Sequence, residues 1–235
     1  MGILNFFKKQ ADKTFERQTE DKYYEQMFVN NPYWNSPTPN EEEVLRWEII
    51  ENFLALVKSK NKNESKDSNI LDLGCGRGWL TNLLSNYGTI LGIEPVQPVV
   101  NYAKKMFPSI EFKCGTTKTL LEDNDFKKYD LIVTSEVIEH ILDDKKGEFI
   151  QDISLLLKEE GFLIITTPRK EAQEEWLSYM QPDQPIEDWI TETELEKIVT
   201  TMNFSRLKLE RFSIPPVKDA PKIEIYQLWL FQKNK

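Results

Sequence analysis

Apolar and polar positions change period repeatedly along this chain, and each change marks a predicted element. In the first 30 residues the apolar positions Ile3, Leu4, Phe6, Phe7, Ala11 and Phe15 fall on one face of a helix. Tyr23, Tyr24 and Phe28 follow. The prolines and asparagines between Asn30 and Asn40 then predict a loop. That loop carries Tyr33 and Trp34, which either pack on the core or line a ligand pocket. Glu41 to Val57 reads as a helix with Asn40 as its N-cap and Val44, Trp47, Ile50, Phe53 and Leu54 on one face. Lys58 to Ser68 is a charged, asparagine-rich connector. It divides an N-terminal helical extension or lid, residues 1–64, from a main domain, residues 65–235.

Beyond the connector, short apolar runs alternate with helical patterns. Strands are expected at 69–73, 89–93, 110–113, 129–134 and 162–166, with helices at 78–86, 96–106 and near 146–158. Such alternation predicts a parallel sheet covered on both faces. Residues 168–190 are a long insertion bearing Trp176, Tyr179, Met180 and Trp189, either a lid over a pocket or a packed surface excursion. Thr191-Glu-Thr-Glu194 is a capping box that opens a helix to about 202. A sixth strand is expected at 207–212 and a last one at 223–231, separated by Pro215, Pro216 and Pro221.

Composition narrows the function classes. A formal net charge of −9 and a sequence pI of about 4.9 argue against broad nucleic-acid binding, which needs a basic face. No apolar run approaches the ~20 residues that span a bilayer. The stretch from Met1 to Lys9 lacks the long apolar core of a secretory signal, and Phe6 stands where myristoylation wants Ser or Thr. Two cysteines, Cys75 and Cys114, suit free thiols in a reducing cytoplasm. His140 is the sole histidine, and no His/Cys cluster has metal-ligand spacing, so no metal is expected.

The densest candidate chemistry lies in Asn69-Ile-Leu-Asp-Leu-Gly-Cys-Gly-Arg-Gly-Trp79. A buried strand, a turn with Gly74, Gly76 and Gly78, and a helix start make a cradle for a polar ligand. Its spacing falls short of the dinucleotide fingerprint G-x-G-x-x-G. Glu94, twenty residues past Gly74, ends the second strand where an acidic group reaches the hydroxyls of a ribose. His140 is the candidate for acid–base work, with Glu136 and Glu139 as the nearby carboxylates and Glu136, one helical turn away, able to orient it; the bland alternative is a packing histidine. Arg169 and Lys170 bind a phosphate or carboxylate, or are simply solvated.

Four stretches in order now resemble the class I S-adenosylmethionine-dependent methyltransferases: Leu71 to Gly78, Leu91 to Glu94, Tyr129 to His140 and Gly161 to Pro168. The resemblance covers roughly residues 65–235 and is nearest to the branch of ubiquinone-biosynthesis O-methyltransferases and sugar or natural-product methyltransferases. It implies a three-layer, Rossmann-like α/β fold. The sheet would have seven strands, mostly parallel, the last antiparallel between the fifth and sixth. It implies S-adenosyl-L-methionine as cofactor, with S-adenosylhomocysteine as product. Asp72, Gly74, Cys75, Gly76, Arg77 and Gly78 would hold the methionyl part, Glu94 the ribose, and Thr116 or Thr117 would stand in for the acidic residue that meets the adenine. Thr134, Ser135 and Glu136 would lie beside the cofactor. The expected reaction is methyl transfer to a small-molecule hydroxyl, with RNA or protein methylation, or a non-catalytic interaction module, as alternatives. The stretch Glu136-Val-Ile-Glu139-His140 also resembles metal-dependent RNA 2′-O-methyltransferases, but those need a second histidine that this chain lacks.

Overall fold

The structure is a computed structural model that describes residues 20–60, 68–123, 128–181 and 184–235. The expected helical face from Ile3 to Phe15 lies outside the described residues. Residues 20–25 are helical and run into a π-helical turn, Gln26–Asn30. Helix α1 is Glu41–Lys60. Asn40 Oδ1 accepts from the Glu43 N–H at 2.9 Å while Glu43 Oε2 accepts from the Asn40 N–H at 2.8 Å, a reciprocal cap.

Seven strands follow: β1 Asn69–Leu73, β2 Thr89–Glu94, β3 Glu111–Cys114, β4 Tyr129–Ser135, β5 Leu157–Pro168, β6 Phe204–Ile214 and β7 Ile223–Lys233. The helices between them are α2 Trp79–Leu84, α3 Gln97–Met106, α4 Thr117–Glu122, α5 Asp143–Leu156, α6 Gln173–Leu177 and α7 Glu192–Thr201. The sheet order is β3-β2-β1-β4-β5-β7-β6. β1 to β5 pair in parallel, whereas β7 is antiparallel to both neighbours, so it sits between β5 and β6 as expected. The order reverses between β1 and β4, and the crevice at their carboxyl ends is where open α/β sheets bind ligands.

Two cores flank the sheet. On one face α1 lays Ile50, Phe53, Leu54 and Val57 against Leu131, Val133 and Ile164. Burying each such side chain contributes roughly 1.5–3 kcal/mol. On the other face α5 and α7 pack Ile150, Ile153, Leu195 and Val199 against Leu71, Ile132 and Leu163.

The register of α1 differs from the expected one. Val44 is exposed, and the inward positions of its first two turns are Glu43 and Arg46. Those turns lie over a cavity rather than over the sheet, and the inward face there is charged. Helix α4 was not foreseen. It is capped by Thr116 and Thr119, a pairing weaker to the eye than Thr with Glu. Among the described residues no helix is long and apolar enough to cross a membrane.

Candidate active site

β1 delivers Asp72 and the glycine turn to the carboxyl end of the sheet. The N–H groups of Gly74 and Cys75 donate to the Ile93 carbonyl at 2.9 and 3.0 Å, which ties the turn to β2. Gly76 has φ +50°, and a Cβ built there would come within 3.2 Å of the Phe28 ring. The Phe28 ring therefore packs directly on the Gly76 backbone, an approach that a side chain there would crowd.

Two buried carboxylates brace this turn. Glu94 Oε2 accepts from the Gly76 N–H at 3.2 Å and Oε1 from the Val96 N–H at 3.1 Å. Asp72 Oδ2 accepts from the Thr81 hydroxyl at 2.6 Å. Burial pushes Glu94 up to about 7, with those backbone N–H groups opposing it. Burial likewise pushes Asp72 up to about 7 against the Thr81 hydrogen bond. No lysine or arginine pairs with either among the described residues, so a cation or hydroxyl donor arriving there would complete them.

Arg77, expected among the cofactor contacts, has its side chain committed elsewhere. Its guanidinium donates twice to Glu43 at 2.7 Å and to the Ser36 and Thr38 carbonyls at 2.6 and 3.4 Å. It locks the segment before α1 onto the glycine turn. Gly78 and Thr134 do not line the cavity, and the Thr134 hydroxyl is buried without a partner among the described residues. Thr116 and Thr117 do line it, although the Thr117 hydroxyl donates to Asp152 at 2.8 Å.

At the end of β4 the chain turns sharply. Glu136 has φ +57°, and Ile138–His140 is a 3-10 turn. Glu136 and His140 consequently do not share a helical face, and the expected orienting contact is not made. Glu136 Oε1 accepts from the Thr166 hydroxyl at 2.8 Å, and its Oε2 lies 3.5 Å from Arg46. Burial pushes Glu136 up to about 8, only partly offset by Arg46. The carboxylate beside His140 is instead Glu139, with Oε1 3.9 Å from Nε2. Burial pushes Glu139 up to about 8, against hydrogen bonds from its own N–H and Thr167.

His140 Nδ1 is 2.8 Å from the Ile186 carbonyl. A carbonyl only accepts, so Nδ1 carries the proton and Nε2 of the neutral ring holds a free lone pair. The Tyr24 ring meets the imidazole edge to face at 5.9 Å and stacks on Phe28 at 6.2 Å, so the N-terminal helix lies over both His140 and the glycine turn.

Together these residues wall a cavity of about 750 Å³. It reaches from Gly76, Glu94 and Thr116 past Ser135 to His140 and Trp176. That is large for a single-ligand pocket, whose range is roughly 300–1,000 Å³. Trp34 is on the wall, whereas Tyr33 is 58% exposed. Part of the 168–190 insertion closes the far end through Trp176, Met180 and Ile186. Arg169 is not on the wall; it pairs with Glu192 at 2.7 Å and Glu224 at 2.9 Å in a surface network.

The sequence gives no site role to Arg46, Tyr24 or Phe28, and it ranks Glu139 behind Glu136 as the carboxylate that orients His140. Arg46 is buried under the Tyr226 ring, its guanidinium carbon 4.8 Å from the ring centroid, and donates to Glu42 at 2.7 Å. A lone arginine in an amphipathic helix gives no sequence signal of facing inward. The spacing Glu136-x-x-Glu139-His140 was visible, but the choice between its carboxylates depended on the turn geometry.

The glycine turn, the two buried carboxylates and the position at the β1/β4 switch fit S-adenosylmethionine, which carries ribose hydroxyls and cationic groups that such acids can accept. Comparison with known proteins agrees. A family model described as a methyltransferase domain matches residues 42–209. The ubiquinone biosynthesis O-methyltransferase of Bradyrhizobium diazoefficiens is 31% identical over 103 residues, 42% of this chain and 39% of that protein. The mitochondrial enzyme of Bos taurus is 37% identical over 109 residues, 43% of this chain and 29% of that one. The chain thus spans well under half the length of these curated relatives. Among solved structures, the N-methyltransferase NodS of Bradyrhizobium japonicum with S-adenosyl-L-homocysteine superposes with a TM-score of 0.68 at 18% identity, covering 92% of this chain and 99% of that one. Magnesium protoporphyrin IX methyltransferase of Synechocystis with bound cofactor gives 0.65 at 14%, covering 93% and 97%, so both share the fold. The chain belongs to the methyltransferase-domain family and has the fold of the class I S-adenosylmethionine-dependent methyltransferases.

Proposed function

We propose that this enzyme methylates a hydroxyl of a small molecule, with His140 taking the hydroxyl proton. The observation that carries this is the Nδ1 contact to the Ile186 carbonyl, which leaves Nε2 as the unprotonated nitrogen of the neutral ring on the cavity wall. When bound, S-adenosylmethionine supplies a methyl group on a sulfonium that departs as a neutral thioether while the new carbon–oxygen bond forms. The backbone of Gly74, Cys75 and Gly76 would hold the methionyl part, Glu94 would receive the ribose hydroxyls and Thr116 would stand at the adenine end. Asp72 braces the turn and faces the amino group. Ser135 would lie between the two halves. Glu139 stabilises the imidazolium that forms at His140. Residues 20–40, within the expected extension 1–64, exclude water by roofing the cavity with Tyr24, Phe28 and Trp34.

The names of the ubiquinone-biosynthesis relatives support oxygen as the acceptor atom. The acidic wall opposes a phosphate backbone and so speaks against RNA. Neither Cys75 nor Cys114 forms a disulfide, which fits a cytoplasmic setting. The test is thermal unfolding with S-adenosylhomocysteine, which should raise the melting temperature, followed by a phenolic and alcoholic acceptor panel read by release of S-adenosylhomocysteine. A ligand-induced shift without turnover on any hydroxyl, but with turnover on amines alone, would replace oxygen by nitrogen.

A further inference from the structure

The cavity wall carries far more negative than positive charge. Eight carboxylates line it, Glu20, Glu42, Glu43, Asp72, Glu94, Glu136, Glu139 and Glu187, against Arg46, Arg77 and the imidazole of His140, and no lysine. Both guanidiniums are engaged: Arg77 with Glu43 and Arg46 with Glu42. Asp72 and Glu94 sit at the ends of β1 and β2, on the cofactor side, and S-adenosylmethionine brings only one net positive charge. That leaves Glu136, Glu139 and Glu187 around His140 with a share in one guanidinium, 3.5 Å from Glu136.

Glu139 is the sharpest case. Its side chain is 3% exposed and lies on the cavity wall. One oxygen accepts from the Thr167 hydroxyl at 3.0 Å, and the other is 3.9 Å from His140 Nε2. Among the described residues no lysine or arginine reaches it within salt-bridge distance. Glu187 approaches from the segment before α7, tied to the Trp189 indole N–H. Its charge adds to the burial that holds Glu139 up near 8. The groups facing this cluster from other elements are Arg46 and Glu42 on α1, Tyr226 on β7, Tyr24 on the N-terminal helix and Thr166 and Thr167 on β5. The rings of Trp176, Trp189, Tyr24 and Tyr226 complete the wall. A buried carboxylate without a cation, Glu139, with a second, half-buried one, Glu187, and aromatic rings on the same wall, supplies the two halves of an ammonium site.

Resting on the methyl-transfer reading, we infer that the acceptor bears a protonated amine as well as its reacting hydroxyl, and that the ammonium docks between Glu139, Glu187 and the rings of Trp176 and Trp189. A compact amino-alcohol or aminophenol has this chemistry. A neutral quinol or an acidic acceptor does not.

The test uses the whole protein saturated with S-adenosylhomocysteine and titrated by calorimetry with three phenols of similar size. These are tyramine (cationic), 4-propylphenol (neutral) and 3-(4-hydroxyphenyl)propionate (anionic). Tyramine should bind about tenfold or more tighter than 4-propylphenol, the scale of one desolvated charge contact, and the anion weakest. Glu187→Gln should remove most of that preference while the affinity for S-adenosylhomocysteine, measured in the same protein, stays unchanged. Equal binding of the three, preference for the anion, or no measurable tyramine binding overturns the inference. Failure to bind S-adenosylhomocysteine in the first place overturns the methyl-transfer reading instead, so the two failures are separable.

Discussion

The Arg77 guanidinium and the Glu43 carboxylate meet through two hydrogen bonds of 2.7 Å, and both side chains are out of reach of solvent. Glu43 belongs to α1 and Arg77 to the glycine turn, so one ion pair joins the roof of the cavity to its floor. Removing one partner leaves the other charged and buried. Glu43→Ala should therefore cost about 3–5 kcal/mol in urea unfolding. The double variant with Arg77→Met should lose less than the sum of the two single changes. Additive losses would mean that the pair is not coupled.

Burial holds Asp72 and Glu94 up near 7, and Glu136 and Glu139 up near 8. A carboxyl with a higher pKa folded than unfolded contributes stability that is whole below its ordinary value and lost as pH rises through the folded value. The cofactor-free protein should thus lose melting temperature through these groups between about pH 4 and about pH 8. Affinity for S-adenosylmethionine should run the opposite way, because its cationic groups favour the ionised acids. Binding near neutrality should release protons, measurable by calorimetry in buffers of different ionisation enthalpy. A pH-independent affinity across that window would show that Asp72 and Glu94 do not answer to the cofactor's charge.

His140→Ala should lower kcat by about a hundredfold to ten-thousandfold while the dissociation constant of S-adenosylhomocysteine is unchanged. Unchanged turnover would assign the imidazole to packing between Tyr24 and the Ile186 carbonyl.

Gly76→Ala places a Cβ on a residue with φ +50° and 3.2 Å from the Phe28 ring. The left-handed backbone should cost roughly 1–2 kcal/mol of stability. The added methyl should also displace Phe28 on the cavity wall, so the rise in melting temperature with S-adenosylhomocysteine should shrink or vanish. Adding Phe28→Ala should restore part of it, whereas a full response in Gly76→Ala alone would place the ligand elsewhere.

How much of this was legible follows from where local pattern dominates. The strand-turn-helix around Gly74 to Gly78 and the Thr191-x-x-Glu194 cap are local, and the structure has them where the sequence puts them. β5 begins at Leu157, not 162, because Glu160 takes φ +63° beside Gly161 and the strand continues through a bend that a hydrophobic scan reads as a break. In α1 the scan favoured Val44 over Arg46, since apolar spacing cannot reveal that a helix end overhangs a cavity. The carboxylate beside His140 was misjudged for a related reason: counting four residues assumes an α-helix, and the chain makes a 3-10 turn there. The Arg77 side chain's partner, Glu43, is thirty-four positions earlier, beyond the reach of any local pattern.

The order of strands also imposes an order of assembly. β6 pairs only with β7, and β7 alone separates it from β5. During synthesis β6 leaves the ribosome first and has no sheet edge of its own to join. Until Ile223 to Lys233 arrives, the edge of β5 from Phe162 to Pro168 stands open, a row of unpaired backbone groups on buried side chains. Tyr226, which roofs Arg46, comes with that same strand. A nascent chain stalled before it would therefore carry a complete glycine turn beside an unfinished wall, and would be at its most prone to aggregate.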